Sequence, residues 1–95
     1  MSTSLGIPEN ADKEPEAQEL LRLWTTANGE RVALHVDGSI PVEGWGIMLA
    51  DLARHLANAY AQKGHGSIQD NYREILASFL LEAGDPTDTV SGSIE

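Results

Sequence analysis

Residues 20–37 read LLRLWTTANGERVALHVD, and this stretch decides the fold because two β-type runs flank the dipeptide Asn28-Gly29. An Asn-Gly pair between such runs is typical of a β-hairpin with a type I′ turn, in which both central residues need a positive φ. The sequence therefore predicts two antiparallel strands, over residues 20–26 and 30–37, joined at Asn28-Gly29.

The predicted register gives the hairpin one apolar face. A two-residue turn at Asn28-Gly29 pairs Leu21 with Val36, Leu23 with Leu34, and Thr25 with Val32. The opposite face is mixed in character and carries the aromatic side chain of Trp24, which this register places beside Ala33. Because the two faces differ so clearly, we expect the apolar face to be the one that is buried.

The sequence after the hairpin changes to a helical period. From about residue 42 to 62, apolar side chains recur at spacings of three and four: Trp45, Met48, Leu49, Leu52, Leu56, Ala59 and Tyr60. Gly64 is placed to end this helix in a left-handed conformation, and Ser67 is placed to cap a second helix over residues 68–83. Pro41 argues against a further strand through Ile40 and Val42.

These elements predict an α+β fold in the order β-β-α-α, with an antiparallel helical pair packed on the apolar face of the hairpin. The 95 residues carry a net charge of −9. We expect a single domain over residues 17–83, flanked by disordered acidic tails over residues 1–16 and 84–95, because both ends are rich in polar residues and lack periodic apolar residues.

Composition and spacing exclude several classes of function. The chain has no cysteine, so disulfides, thiol catalysis and cysteine-ligated metals are ruled out. His35, His55 and His65 lack the spacing of a metal motif, so we expect no metal and no cofactor. Few cations and no long apolar run argue against nucleic-acid and membrane partners. With no signal-peptide pattern, a cytoplasmic location is expected.

Two stretches carry a resemblance to a known family. Residues 19–24, ELLRLW, and residues 45–55, WGIMLADLARH, resemble a small family of uncharacterised bacterial proteins of similar length. The likeness covers residues 17–83. The family has no assigned activity, so the resemblance implies a bacterial context and no catalytic residues.

The leading functional hypothesis is a small interaction or assembly module without catalytic activity, which forms a homodimer through its hairpin. A two-stranded hairpin leaves two open edges and is marginal on its own. The candidate interface residues lie on the mixed face: Leu20, Arg22, Trp24, Ala33 and His35. The alternative is a small-molecule binder or minor enzyme that uses a cleft near Trp45, His55 and Tyr72.

Overall fold

The hairpin forms at the predicted place in the chain. The computed structural model describes residues 5–84 and 90–94. Its first two strands, β1 (Leu21–Thr26) and β2 (Gly29–Leu34), pair antiparallel. Two helices follow, α1 (Val42–Gln62) and α2 (Ile68–Gly84). The α+β order β-β-α-α is therefore confirmed. Val42 begins a helix, so Ile40 and Val42 do not form a further strand.

The register of the hairpin differs from the predicted one by two residues. Leu23 lies opposite Val32, and Thr26 lies opposite Gly29. The turn is not the predicted type I′, because Gly29 has a positive φ (106°) but Asn28 does not. Thr26 fixes the turn instead: its Oγ1 donates to the Gly29 carbonyl (2.7 Å) and accepts from the Asn28 N–H (3.1 Å). A shift of two keeps every side chain on its predicted face.

A third strand, β3 (Val90–Ile94), joins the sheet beside β2 and runs parallel to it. The strand order is β1-β2-β3, so β2 is the central strand. Residues 90–94, which form this strand, lie within the segment 84–95 that the sequence predicts to be a disordered tail. The physical reason for the strand is that the outer edge of β2 offers unpaired backbone groups, which a weakly apolar segment can still satisfy.

The N-terminal segment also contains regular structure. Of residues 1–16, which the sequence predicts to be disordered, residues 5–16 are described, and they include a short 3-10 helix at Ala11–Lys13. The Ala11 N–H donates to the Pro8 carbonyl and the Lys13 N–H to the Asn10 carbonyl, both at 3.0 Å.

The two helices begin and end as predicted. Gly64 follows the end of α1 with φ 85°, and the Oγ of Ser67 accepts from the Asp70 N–H (3.1 Å), as an N-cap does. Asn71 holds the connection between the helices: its Nδ2 donates to the carbonyls of His65 (2.7 Å) and Ala57 (3.2 Å). The helical pair is thus fixed at one end by side-chain hydrogen bonds.

The helices meet through small residues. Among residues 5–84, the two buried residues are Ala53 and Ala57 of α1. The predicted leucine stripe lies to one side of this seam, since Leu56 and Ala57 are about 100° apart around the helix. We call its members the helix stripe; they are 42–55% exposed: Leu49, Leu52, Leu56 and Tyr60.

The predicted packing of the helices on the hairpin face does not occur within one chain. In the described elements, the strands contact one another and α1 contacts α2, but no Cα of a strand lies within 8 Å of a Cα of a helix. Leu23, at the centre of the apolar hairpin face, is 57% exposed. This correction matters most, because it leaves both predicted core surfaces open.

Two glycines at the start of α1 provide a test of this local structure. A Cβ on Gly46 would meet no atom within 4 Å, whereas a Cβ on Gly44 would lie 2.9 Å from Cγ2 of Ile40. Gly46→Ala should raise the free energy of unfolding in urea by about 0.5–1 kcal/mol, the usual gain from replacing a helical glycine. The matched variant Gly44→Ala should gain less or lose stability, because Ile40 must move. Equal stabilisation by both would contradict this geometry.

Candidate functional site

The five candidate interface residues lie on one face of the sheet, which we call the Trp24 face. It consists of Leu20, Arg22, Trp24, Ala33 and His35. Arg22 lies opposite Ala33, and the His35 N–H donates to the Leu20 carbonyl (2.9 Å). Trp24 lies opposite Arg31 rather than Ala33, owing to the changed register, and is 39% exposed. The structure therefore brings these residues together on a partly apolar, accessible surface.

An open groove of about 310 Å³ runs along one end of the Trp24 face. Its lining residues are Glu19, Leu20, Leu21, Arg22, Ala33, Leu34 and His35. The groove combines apolar walls with the guanidinium of Arg22. Arginine beside apolar and aromatic side chains is the composition found at the centres of protein interfaces.

The polar groups of the groove are held by exposed ion pairs. Arg22 Nε lies 2.9 Å from Glu19 Oε2, with side chains 57% and 61% exposed, so this pair adds at most about 1 kcal/mol to stability. His35 Nε2 lies 3.1 Å from Asp37 Oδ2. These contacts orient Arg22 and His35 while leaving both side chains accessible to a partner.

Asp37 holds the linker between β2 and α1 through hydrogen bonds of its carboxylate. Its Oδ1 accepts from the Ser39 N–H at 2.9 Å. Hydrogen bonds from the Ser39 hydroxyl and N–H, and then from His35, lower the pKa of the Asp37 carboxyl to about 2. Gly38 between them has φ 84°, a conformation that favours glycine. Residues 35–41 therefore form a structured turn.

The open edge of the sheet lies on β1. Because β3 pairs with β2, β1 is an edge strand in the described sheet. The Leu20 carbonyl points towards β2, so antiparallel geometry directs the backbone groups of Leu21, Leu23 and Thr25 outwards. These groups can accept another strand.

The structure does not bring together Trp45, His55 and Tyr72, the residues of the alternative cleft. Trp45 and His55 are ten residues apart in α1, which corresponds to about 15 Å along the helix. The cavity beside Trp45 holds about 10 Å³, the space of one water molecule. Tyr72 packs instead under Arg54, whose Cζ lies 5.4 Å from the ring centroid. Within one chain these residues form no substrate-sized site.

The histidines lie apart from one another in the fold. His35 contacts Asp37, the His65 ring packs edge-on against Tyr60 (centroids 6.1 Å apart), and His55 is exposed on α1. Across residues 5–84 and 90–94, no three side chains of the His, Asp and Glu types are placed to hold a metal ion. None of the described helices has the length and apolar character to cross a membrane.

Sequence reasoning missed two features of the exposed surface. The helix stripe was expected to face the hairpin, and its exposure could not be read from periodicity alone. The role of Asn71 in joining the helices carries no recognised sequence signal, because its acceptors are the backbone carbonyls of Ala57 and His65, fourteen and six residues earlier in the chain.

Fold and site together define a small α+β domain with a three-stranded sheet, a helical pair and large uncovered apolar surfaces. The chain belongs to the family described as a domain of unknown function, DUF5076, whose model matches residues 4–87. No curated protein matches it. It is similar to a solved structure described as "a putative pyruvate dehydrogenase" from the photosynthetic bacterium Rhodopseudomonas palustrus CGA009. Identity is 27%, the TM-score is 0.73, and the match covers 94% of this chain and 91% of the other.

The Asp37 turn predicts a specific titration. Nuclear magnetic resonance of the Asp37 carboxyl should give a pKa of about 2 instead of the usual 3.8. Because the folded pKa is depressed, the carboxylate stabilises the turn fully above about pH 4, and this contribution is lost as the pH falls towards 2. Ser39→Ala should raise the pKa, while Ser78→Ala, a serine on α2, should not. A wild-type pKa near 3.8 would contradict the described turn.

Proposed function

We propose that this protein is a small acidic interaction or assembly module without catalytic activity, which works as a homodimer formed through its hairpin. The Trp24 face and the open edge of β1 supply the contact. A second copy can bind in two ways: two β1 strands can pair edge to edge into one continuous sheet, or two Trp24 faces can stack.

The observation that carries this proposal is the accessible surface of the single chain. A folded monomer of 10.2 kDa exposes about 5,300 Å², whereas this chain exposes 8168 Å². The excess, about 2,900 Å² per chain, is well above the roughly 800 Å² that each partner loses in an interface of standard size, and for two chains together it reaches the upper end of the range of obligate dimers. A chain that buries so little apolar surface alone gains its stability from association.

The same reasoning favours a protein partner over other partners. With 15 acidic and 6 basic residues, the chain repels nucleic-acid phosphates and anionic lipids. The absence of cysteine suits a reducing compartment, and the Rhodopseudomonas relative is bacterial. We therefore place the module in the bacterial cytoplasm, where self-association is its main interaction.

The described name of the Rhodopseudomonas protein raises a second candidate, an enzyme or binder acting on pyruvate or a similar small 2-oxo acid. Such an anion needs a cation, and Arg54, which lies beside the Tyr72 ring, is a candidate. Arg54 lies 3.4 Å from Asp51 and is 64% exposed in this chain. A pyruvate site would therefore need residues from a second chain. Chemical-shift changes at Arg54 and Tyr72 on adding pyruvate would favour this candidate.

Replacing Trp24 tests the proposed dimer directly. Trp24→Asp puts a charge at the centre of the Trp24 face, and removing an aromatic residue from the centre of an interface typically costs 2 kcal/mol or more. The dissociation constant of the dimer should therefore rise by about 30-fold or more, as measured by sedimentation equilibrium. At protein concentrations high enough for the variant to remain dimeric, its helical circular dichroism should match that of the wild type.

The matched control is Asn58→Asp, which makes the same negative charge on an exposed position of α1, opposite the helix stripe. It should leave the dissociation constant within a few-fold of wild type. If the wild-type protein sediments at 10.2 kDa at all accessible concentrations, the proposed dimer is wrong.

A further inference from the structure

Two apolar surfaces of the chain match one another but do not meet. One is the apolar side of the hairpin, which we call the Leu23 face: Leu21, Leu23, Val32 and Leu34. The other is the helix stripe on α1, extended on α2 by Phe79, which is 56% exposed. Their sequence patterns are those of a sheet and a helical pair that pack together. In the described elements, however, strands and helices lie more than 8 Å apart at every Cα pair.

The structured linker keeps the two surfaces apart within one chain. Residues 35–41 could span about 23 Å if fully extended, enough for a helix to fold back over the sheet. Instead, the Asp37 turn holds the linker, and Ile40 packs against Gly44 at the start of α1. Trp45 then lines the small cavity shared with Leu20 and His35, at the end of the hairpin. The linker thus directs α1 away from its own Leu23 face.

A second copy of the chain supplies a helix stripe for the Leu23 face of the first chain and a Leu23 face for its helix stripe. In a twofold dimer, any contact between surface X of one chain and surface Y of its partner occurs twice. Covering the Leu23 face with the partner's helices therefore covers both Leu23 faces and both helix stripes. The excess surface of the single chain, about 2,900 Å², suits this arrangement better than it suits a contact through one small patch.

We propose that, in the dimer, the helical pair of each chain packs on the Leu23 face of its partner's hairpin, so that the hydrophobic core forms reciprocally between two chains. This inference rests on the proposed homodimer and selects its edge-to-edge form, because stacked Trp24 faces would turn each Leu23 face away from the partner's helices. The β1 edges then supply the contact along the hairpins, and the Trp24 face lies on the outer side of the joined sheet, where it remains available for further assembly.

Because the protein contains no cysteine, single cysteines can report this geometry without background. Leu23→Cys and Leu52→Cys chains are prepared separately, mixed in denaturant, refolded together and treated with a short bismaleimide. The reciprocal core predicts a cross-linked product of twice 10.2 kDa that contains one chain of each kind. The matched control pairs Leu23→Cys with Asn58→Cys, on the far side of α1, and should give at least tenfold less product.

The double variant Leu23→Cys/Leu52→Cys distinguishes exchange from folding back. The proposal predicts cross-links between chains; a cross-link within one chain of 10.2 kDa would overturn it, because the helices would then cover their own hairpin. Dominant cross-linking of Leu52→Cys to its own copy, with none to Leu23→Cys, would also overturn it, since the helix stripes would then meet each other. Either of these cross-linking results leaves the proposed homodimer standing. Sedimentation as a monomer would refute the homodimer and the reciprocal core together.

If the cysteine variants fail to fold, unmodified protein answers the same question. A sample is refolded from equal parts of isotope-labelled and unlabelled chains, and isotope-filtered nuclear Overhauser spectra then report contacts between chains only. Intermolecular contacts between the methyl groups of Leu23 and those of Leu52 or Leu56 are expected. If the protein is dimeric and has a native circular dichroism spectrum but shows none of these intermolecular contacts, the proposal is overturned.

Discussion

The packing of α1 against α2 through alanines is the constraint on which the rest of the structure depends. Ala53 and Ala57 are the buried residues of α1, and small side chains at a helix contact reduce the distance between the helix axes. Once the small side of α1 faces α2, the leucines of the helix stripe must point elsewhere. The fold therefore places its larger apolar side chains outside the contact that its own helices make.

The sheet shows the same division. β2 is satisfied on both sides, by β1 and by β3, so its backbone hydrogen bonds are complete within the chain. On the Leu23 face, Leu23 is 57% exposed and its neighbours Leu21, Val32 and Leu34 are half-buried, and β1 keeps an open edge. Most backbone hydrogen bonds of the sheet are thus made within one chain, whereas several of its apolar side chains remain exposed to solvent. Burial is the dominant favourable term in folding, and this difference is the basis of the proposed dimer.

Local patterns predicted the local elements well. The hairpin, both helices, Gly64 after α1 and the Ser67 cap each depend on residues that are close in sequence, and the structure confirms them. The hairpin register was wrong by two residues because Thr26 closes the turn through its own hydroxyl, an alternative that competes with the Asn-Gly type I′ turn. Strand β3 was missed because a parallel partner distant in sequence leaves no periodic signal.

The orientation of α1 could not be predicted for a different reason. The hydrophobic pattern predicts that the helix stripe is the buried face of α1. Close packing against α2 instead buries the small side chains of Ala53 and Ala57. Both patterns lie on neighbouring sides of α1. The candidate interface residues were placed together on one face because a shift of two preserves alternation. Trp45 and His55 do not come together within one chain, because ten residues of helix separate them by about 15 Å.

The dependence of unfolding on protein concentration tests the central claim most directly, namely that the core is complete only in the dimer. Wild-type protein is unfolded in urea at total concentrations that differ by a factor of about one hundred, with far-ultraviolet circular dichroism as the readout. For an obligate dimer, mass action ties stability to chain concentration. The urea midpoint should therefore rise steadily with concentration, with no folded monomer at the lowest. A midpoint independent of concentration, with full helical signal in dilute solution, would contradict the account.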